Sequence, residues 1–448
     1  MLLTAAWRRL LAAAAAVACV WAAVLWVIPS APKISPAEAP VRVTAGRATG
    51  AMAKTGDLHA VVWSGMAAPD GGRFDRFDVN SQPVVAPVNG RGEVAFFATV
   101  LHAAGREGIF LAGDERVRKV AASGDAVPGG GALAEFSEHP SPALNAKGHV
   151  AFTAQIADGR APEGIFLVDD DGLRPIALSG DDAPGVPLGV FVGFDPPALN
   201  DNDELAFVAT VRQEREQHDV LYFWNGTRLQ RLVAQGERLL LIGGKMDQIG
   251  DPALNNSGVV AFPAAIFKGP VLGGIFVAGA RDLRLIVRAG DRVPGEGMIL
   301  RFSERVAIDE EEGIAFGAYL GEEGNAREAI LKSTPDGLSE VAVERRPAPG
   351  GGRYAGFGPW PSAAPDGATA FVAALDGAPA PLAAFAGTAN DIKRVAAMGD
   401  KLPDGEAIGQ FALNAIAAAG PGDAITFATV GRKPSEPTAI YCRCPRAR

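Results

Sequence analysis

Four aspartates hold the same place in a loop that recurs along this chain, and carboxylates can bind metal ions or transfer protons. Each follows a glycine and stands three residues before a proline: Asp125, Asp181, Asp291 and Asp400. Calcium prefers oxygen ligands of this kind, and converging carboxylates can serve as acid and base. Alternatively, each aspartate caps its own turn. Because catalysis rarely needs one residue from every repeat, the regular spacing favours the structural role, and calcium is the only cofactor left open.

A second group of residues combines arginine with aromatic side chains in a Gly/Pro-rich stretch of an otherwise acidic chain: Arg345, Arg346, Arg353, Tyr354 and Trp360. Exposed arginine and aromatic side chains are typical of binding surfaces. We therefore predict that these five residues, with the four loop aspartates, contribute to a binding surface. The alternative is that Trp360 simply packs between structural units.

Other chemistries have no support in the sequence. The five histidines form no His-x-His or His-Glu-x-x-His pair, and neither a Gly-x-Ser-x-Gly elbow nor a phosphate-binding loop occurs. We therefore predict no catalytic residue and no metal ligand. A net charge of −9 disfavours nucleic acid as a partner. Cys442 and Cys444 are spaced too closely for a relaxed mutual disulfide.

The elements that must position these residues follow from an internal repeat. Seven phenylalanines, each ending a small-to-bulky apolar triplet, are separated by 54 to 56 residues: Phe96, Phe152, Phe207, Phe262, Phe316, Phe371 and Phe427. Self-similarity at a fixed period indicates a repeated structural unit. The length alone would favour two or more domains, but the repeat predicts one.

Each unit reads as four short strands joined by hairpins. In the second unit, Asn145 to Gly148 is a tight turn, and residues 150–156 alternate apolar and polar side chains as a strand does. A single sheet of this size has two apolar faces, and radial stacking buries each face against a neighbour. The sequence therefore predicts an all-β, seven-bladed β-propeller of about 55-residue, four-stranded blades.

The chain ends supply an independent argument for a closed ring. The seventh unit stops at Cys442 and lacks its fourth strand, whereas Leu58 to Pro69 matches the fourth strand and Gly-Asp loop of the first unit, Val117 to Pro128. We predict that the N-terminal strand completes the last blade. An open solenoid would not need this arrangement.

The motif Asn-x-x-Gly-x-x-Ala-Phe carries a resemblance to a known group. It is complete at Asn89 to Phe96, Asn145 to Phe152 and Asn255 to Phe262. With this motif the chain resembles bacterial exported proteins that carry tandem NxxGxxAF repeats and variable membrane or surface anchors. The resemblance implies export, anchoring and a repeat architecture. That group has no established activity, so no catalytic residue is implied.

The first 28 residues differ from the repeats. Arg8 and Arg9 precede an uncharged apolar stretch, residues 10–28, which is near the length needed to span a bilayer. We predict a transmembrane or signal helix over 1–28, a flexible Pro/Ala-rich linker over 29–55 and the propeller over 56–448. The positive-inside rule then places the propeller in the periplasm or at the cell exterior, anchored in the inner membrane. The alternative is secretion after cleavage of the signal.

Two functions from different classes remain. The favoured one is a membrane-tethered, non-enzymatic binding or scaffold propeller with a protein or glycan partner in the cell envelope. The alternative is a hydrolase or lyase acting on envelope carbohydrate or lactones through carboxylates at the channel mouth. An enzyme would show an asymmetric, accessible set of acid and base in a deep axial pocket.

Overall fold

The computed structural model describes residues 57–80, 82–113, 116–240, 242–279, 282–322, 325–403, 405–412, 414–430 and 438–444. The predicted membrane segment and linker lie outside these residues, so their boundaries stay predictions. Within the part of the chain that is described, no helix is long and apolar enough to cross a membrane.

The described residues form seven antiparallel sheets, one for each repeat. Strand β1, His59–Trp63, comes first in the chain but belongs to the last sheet. Blade one contains β2 Arg73–Phe74, β3 Val94–Leu101, β4 Glu107–Gly113 and β5 Arg116–Ala122. Blade two contains β6 Ala132–Leu133, β7 Ala143–Leu144, β8 Val150–Ala157, β9 Glu163–Asp169 and β10 Gly172–Leu178. Blade three contains β11 Gly189–Phe194, β12 Ala198–Leu199, β13 Leu205–Gln213, β14 Glu216–Trp224 and β15 Leu229–Ala234.

The remaining blades repeat this order, with the innermost strand often split in two. Blade four contains β16 Lys245–Ile249, β17 Ala253–Leu254, β18 Val260–Phe267, β19 Gly273–Ala278 and β20 Leu283–Arg288. Blade five contains β21 Arg292–Val293, β22 Gly297–Ile308, β23 Ile314–Glu322, β24 Asn325–Thr334 and β25 Gly337–Val343. Blade six contains β26 Arg353–Phe357, β27 Ser362–Ala363, β28 Thr369–Asp376, β29 Leu382–Thr388 and β30 Asp391–Ala397. Blade seven contains β31 Gln410–Phe411, β32 Ala418–Gly420, β33 Ala424–Val430 and β34 Ala439–Arg443.

The predicted seven-bladed propeller and its closure are confirmed. Strand β1 pairs antiparallel with β34, in a register that sets His59 opposite Cys442 and Trp63 opposite Ala439. The N-terminal strand is therefore the outermost strand of blade seven. One expectation was wrong, because Cys442 and Cys444 are joined by a disulfide.

The repeated Ala-Phe pair forms the core between the sheets. The alanine that precedes the phenylalanine is fully buried in six blades: Ala95, Ala151, Ala206, Ala261, Ala315 and Ala370. In six blades the phenylalanine stacks on an aromatic ring of the next strand, as in Phe152 with Phe166 (5.7 Å between centroids) and Phe371 with Phe385 (5.4 Å). In blade five, Phe316 stands opposite Leu331 and contacts the ring of Phe302 on the preceding strand. Small residues thus allow close approach of the sheets, while the rings fill the space between them.

The asparagine of the motif joins four of the blades to the next one, from blade one to blade five. In blade two, the side-chain carbonyl of Asn145 accepts hydrogen bonds from the N–H groups of Lys147 (3.1 Å) and His149 (3.0 Å), which closes the turn. Its amide donates to the main-chain carbonyl of Asn200 in blade three at 3.0 Å. We call this row of inter-blade bonds the asparagine ladder. The same bond, at 3.0 to 3.2 Å, links Asn89 to Asn145, Asn200 to Asn255 and Asn255 to Asp309.

Blade five carries Asp309 in place of the asparagine, and an ionised carboxylate has no proton to donate. Its Oδ1 still closes the turn, accepting from the N–H of Gly313 at 2.6 Å. The missing donor is Lys332, whose Nζ lies 2.7 Å from Oδ2 of Asp309 and 2.5 Å from the carbonyl oxygen of Gly367 in blade six. Both side chains are buried, so Lys332 supplies the inter-blade bond here.

Hydroxyl groups complete the ring beyond the ladder. Ser362 donates from blade six to the carbonyl of Ala417 in blade seven at 2.6 Å. Thr426 donates from blade seven to the carbonyl of Ala86 in blade one. Each of these side chains spans a blade interface, and Thr426 makes its bond at the junction where the ring closes.

Deleting residues 58–69 is expected to lower the melting temperature and promote aggregation. The deletion removes β1 and leaves the backbone groups of β34 as a bare sheet edge. Thermal unfolding and light scattering measure the effect. Deleting twelve residues of the predicted linker is the control and should change neither property. Equal stability of the two deletion variants would contradict the closed ring.

Replacing Lys332 by Leu is expected to destabilise the domain by about 3 kcal/mol, because it leaves the buried Asp309 carboxylate without a partner. The double variant Asp309→Asn, Lys332→Leu should recover most of this loss, since it restores the asparagine donor of the other blades. Urea unfolding of both variants measures the difference. A double variant no more stable than Lys332→Leu would show that the lysine does not replace the amide donor.

Candidate functional site

A cavity of about 1220 Å³ lies at the axis of the ring, lined by innermost segments of all seven blades. Its depth follows from the fold, because the first strand of every blade faces the axis. Positions on these strands are therefore the ones at which the sequence can place side chains into a shared space.

One arc of the cavity wall is strongly polar. Asp195, Asp251, Arg305 and Trp360 lie on blades three to six and all line the cavity. The guanidinium of Arg305 donates through Nε to the carboxylate of Asp251, and its Cζ stands 4.7 Å from the centroid of the Trp360 ring. Arg305 thus connects a carboxylate on one side with an aromatic face on the other.

This arc is confined to part of the ring. Asp251, Arg305 and Trp360 all stand four residues before the ladder position of their blades. The same position in blades one, two, three and seven holds small or apolar residues: Val85, Ser141, Pro196 and Ile416. The cavity is therefore asymmetric, although the scaffold around it is nearly sevenfold.

Asp195 is a carboxyl group of the polar arc with a strongly shifted pKa. Burial raises the pKa of Asp195 to about 7, and the negative charges of Asp251 and Asp219 act in the same direction, while Arg305 partly opposes them. Asp251 is the direct ion-pair partner of Arg305. The cavity wall therefore combines a carboxyl group whose raised pKa favours retention of its proton with a second carboxyl group that is paired with an arginine.

Glu163 is a second carboxyl group with a raised pKa, and the charge of Asp195 contributes to this shift. Burial raises the pKa of Glu163 to about 7, and the charges of Glu138 and Asp195 add to this, whereas a hydrogen bond from the N–H of Phe194 opposes it. Sequence reasoning missed Glu163. A signal existed, because the strand start Glu-Gly-Ile-Phe occurs at Glu107 and again at Glu163.

The glutamate at this position of the repeat also forms a second link between neighbouring blades. Oε1 of Glu107 accepts from the N–H of Phe136 in blade two at 2.6 Å, and Oε2 of Glu328 accepts from the N–H of Phe357 in blade six at 2.9 Å. In each case the carboxylate holds the innermost strand of the following blade, which is the strand that lines the cavity.

Two further groups extend the polar wall. Burial lowers the pKa of His139, which favours the neutral imidazole at neutral pH. The guanidinium Cζ of Arg301 lies 3.8 Å from the centroid of the Tyr319 ring, and the Tyr319 hydroxyl donates to Glu328 at 3.2 Å. All of these side chains line the cavity.

The loop aspartates predicted from the sequence do not line this cavity. Each lies just after the outermost strand of its blade. The carboxylates of Asp125, Asp291 and Asp400 accept a hydrogen bond from the N–H three residues earlier, at 2.8 to 2.9 Å. Asp181 instead pairs with Arg160 at 2.5 Å. A ligand-binding role for these four residues stays a prediction.

The side chains of the predicted cationic and aromatic group do not share one surface. Trp360 lines the cavity, whereas Tyr354 is buried in the core of blade six, with its ring centroid 5.3 Å from that of Phe385. Arg346 forms an ion pair with the fully buried carboxylate of Glu296. Arg353 donates to the carbonyl of Arg345 at 2.9 Å, on the exposed crossover loop. Of the five, only Trp360 contributes to the axial site.

Among the described residues, no group of three or more histidine, cysteine, aspartate or glutamate side chains is arranged to hold a metal ion. The side chains that line the cavity offer hydrogen bonding, ion pairing, aromatic contact and proton transfer between Asp195 and a bound molecule.

The chain belongs to DUF7453, a family of unknown function, whose family model matches residues 36–161, 157–298 and 254–443. No curated protein matches the chain. The overlapping matches together cover all seven blades.

Solved structures are similar only at low identity. They include a puromycin-hydrolyzing peptidase of Mycobacterium tuberculosis, with 12% identity over 84% of this chain and 62% of that chain and a TM-score of 0.34. A putative oxidoreductase (glucose dehydrogenase) of Thermus thermophilus has 13% identity over 73% and 99%, with a TM-score of 0.32. A six-bladed fungal lectin of Aleuria aurantia has 10% identity over 74% and 97%, with a TM-score of 0.34. The chain spans about six tenths of the length of the peptidase. Similarities at these TM-scores carry no argument about function.

Replacing Asp195 by Asn is expected to raise the melting temperature at about pH 8 and to leave it unchanged at about pH 4. Because the pKa of Asp195 is raised from 3.8 to about 7, the native state keeps a proton that the unfolded chain releases between these pH values. The contribution of Asp195 to stability therefore falls as the pH rises through this window and is level above it. Asparagine has no such proton.

Thermal unfolding followed by circular dichroism across this pH range measures the effect. Asp158→Asn, at an exposed loop position, is the matched control and should run parallel to the unmodified protein. If the Asp195→Asn curve also runs parallel, Asp195 does not retain its proton in the cavity.

Proposed function

We propose that this member of DUF7453 is a membrane-tethered, extracytoplasmic binding propeller that takes a saccharide in its axial cavity and does not transform it. The observation that supports this proposal is the arc formed by Asp251, Arg305 and Trp360. An aromatic face and planar hydrogen-bonding groups stand side by side in one concave space.

A saccharide matches the chemistry of this arc. The apolar face of a sugar ring can lie against the indole of Trp360, as amphipathic ligands do in concave sites lined by aromatic side chains. The hydroxyl groups at the ring edge can donate to the Asp251 carboxylate and accept from the Arg305 guanidinium. Because both groups are already paired with each other, they are held in place before the ligand arrives.

The charges of the cavity narrow the choice of saccharide. Five carboxyl groups line it, against two arginines, Arg301 and Arg305: Asp78, Asp195, Asp251, Glu304 and Glu328. This excess of acidic groups disfavours uronate and sulfated glycans through like-charge repulsion. We therefore propose a neutral or amino sugar of the cell envelope as the ligand.

The cellular location in this proposal rests on the sequence. Residues 10–28 would anchor the chain in the inner membrane, residues 29–55 would form the tether, and the NxxGxxAF resemblance supports export. In this arrangement, the cavity would sample glycans in the periplasm or at the cell exterior.

A second candidate function is acid–base cleavage of the same ligand, and one observation favours it. Asp195, with its pKa raised to about 7, could protonate the glycosidic oxygen as its bond to the anomeric carbon breaks, while Asp251 takes a proton from the water that attacks this carbon. In that case Asp195→Asn would abolish the release of new reducing ends from an oligosaccharide without weakening its binding. If no reducing ends are released by the unmodified protein, binding alone remains.

Replacing Trp360 by Ala is expected to weaken saccharide binding by about 30-fold, because a buried aromatic anchor typically contributes about 2 kcal/mol or more. Isothermal titration with neutral, amino and uronate oligosaccharides measures affinity and ligand class together. Trp63→Ala is the control, since Trp63 lies on the outermost strand and is 42% exposed. Equal affinities of the two variants, or tighter binding of uronates than of neutral sugars, would contradict the proposal.

A further inference from the structure

Blade four carries two loops that differ from their counterparts in the other blades. One is the crossover from the outermost strand of blade three, residues 236–244, and the other is the hairpin loop between β18 and β19, residues 267–272. We call the exposed parts of these two loops the blade-four tip. Both loops lie at the end of the ring opposite to the asparagine turns.

The tip exposes large apolar side chains at positions where most other blades have proline, small or charged residues. Blade one is the exception at one position, with Leu101 in the place of Phe267. Leu240 is 90% exposed and takes the place of Pro128, Pro294 and Pro403 in other crossovers. Phe267 is 51% exposed and takes the place of Ala157 and Asp376. Leu272 is 78% exposed. Single exposed apolar side chains of this size are common on protein surfaces, whereas a cluster of them indicates an interaction site.

The two loops lie against each other, so these side chains form one surface. A Cβ placed on Gly244 would stand 2.6 Å from Cα of Gly269, and one on Gly243 would stand 3.2 Å from Cδ of Pro270. The N–H of Ile266 donates to the carbonyl of Leu272 at 2.9 Å, which holds the hairpin loop closed. Below the tip, Leu239 and Ile266 are buried in the core of the blade.

Three exposed cations surround these apolar side chains. Arg238 and Lys245 face each other at the base of the crossover loop, and Nζ of Lys268 stands 5.0 Å from the ring centroid of Phe267. The acidic residue of the two loops is Glu237, which is paired with Arg231 at 2.5 Å. The tip is therefore locally cationic in a chain of net charge −9.

We propose that the blade-four tip is a membrane-contacting surface, which inserts Leu240, Phe267 and Leu272 into the interfacial region of an anionic lipid bilayer. Apolar side chains ringed by lysine and arginine are the composition that binds such interfaces. The three apolar groups stand on protruding loops instead of lining a groove, which suits insertion between headgroups. The three cations at their base can then reach lipid phosphates.

Charge also argues against a second copy of this chain as the occupant. In a twofold dimer the same patch would face itself, so Arg238, Lys245 and Lys268 would stand opposite their own copies. The described chain begins at the other end of the ring, where β1 starts at His59. Residues 29–55 can extend to about 90 Å, which exceeds the roughly 30 Å height of a blade, so an anchored chain permits this contact.

The test uses the full chain with Cys19 replaced by serine, because Cys442 and Cys444 are paired. Leu240→Cys carries an environment-sensitive fluorophore, and Leu272→Cys provides an independent second label. Pro128→Cys and Pro403→Cys are matched controls at exposed, equivalent loop positions of blades two and seven. Each protein is mixed with phosphatidylcholine vesicles, with or without phosphatidylglycerol, that contain lipids bearing a quencher in the acyl chain.

We expect quenching of the labels at 240 and 272 to exceed that at 128 and 403 by about threefold or more with phosphatidylglycerol present, since only the tip enters the interface. Charge reversal of Arg238, Lys245 and Lys268 to glutamate should abolish the difference, because each cation near an anionic surface contributes about fivefold to binding. Melting temperatures check that all variants are folded.

Three results would overturn the proposal. The first is equal quenching at the tip and at the control positions, and the second is quenching that does not depend on phosphatidylglycerol. The third is a shift of the emission at 240 that grows with protein concentration without lipid, which would assign the tip to contact with a second copy.

Discussion

The ring depends on a side chain that accepts hydrogen bonds within its own blade and donates one to the next. Asparagine is suited to this because its amide carries both an acceptor oxygen and a donor nitrogen on a short, stiff stem. Asn145 and Asn200 are almost fully buried, so an unmade bond at either would leave a polar group without water or protein partner. At Asp309 the donor is lost, and the buried Lys332 restores it from a different strand. The replacement of asparagine by the Asp309–Lys332 pair indicates that the fold requires the inter-blade bond, and that asparagine is one residue that can form it.

Because the ladder holds each turn in place, it also determines which neighbouring residue positions can differ between blades. The residue four positions before the ladder lines the cavity in blades two to six, so Asp251, Arg305 and Trp360 converge although the scaffold residues around them are repeated. The crossover and hairpin loops at the opposite end are free of the ladder, which allows the apolar residues of the blade-four tip. The repeat therefore carries stability, while single departures from it carry the candidate chemistry.

This division explains which features the sequence could predict. The Phe period, the Asn-x-x-Gly turn and the matching fragments at the two chain ends are repeated or paired signals, and the fold and its closure followed from them. Asp251, Arg305 and Trp360 are each 54 or 55 residues apart and occur once, so no local pattern marks them. Only superposition of the repeats would place them side by side.

The raised pKa of Asp195 depends on burial and on charges from other blades, which a sequence does not contain. Conversely, Arg345, Arg353 and Tyr354 remain neighbours in the structure, since Arg353 donates to the carbonyl of Arg345 and the N–H of Arg345 donates to that of Tyr354. They form no joint binding surface, because the Tyr354 side chain is buried in the core and none of the three lines the cavity.

Arg305 has a central place in the electrostatics of the cavity. It neutralises Asp251, covers one side of the Trp360 ring and opposes the rise in the pKa of Asp195. Without it, the charges of Asp251 and Asp219 would act unopposed on Asp195 and would raise the pKa of that carboxyl group further. A ligand hydroxyl that bonds to both Asp251 and Arg305 would enter an ion pair that already exists, and would add little desolvation beyond that already incurred on folding. A cationic group placed at this pair would instead compete with Arg305 for Asp251. In the proposed complex the pair would therefore meet hydroxyl groups of the neutral or amino sugar, and the charge state of Asp195 would depend on what the cavity binds.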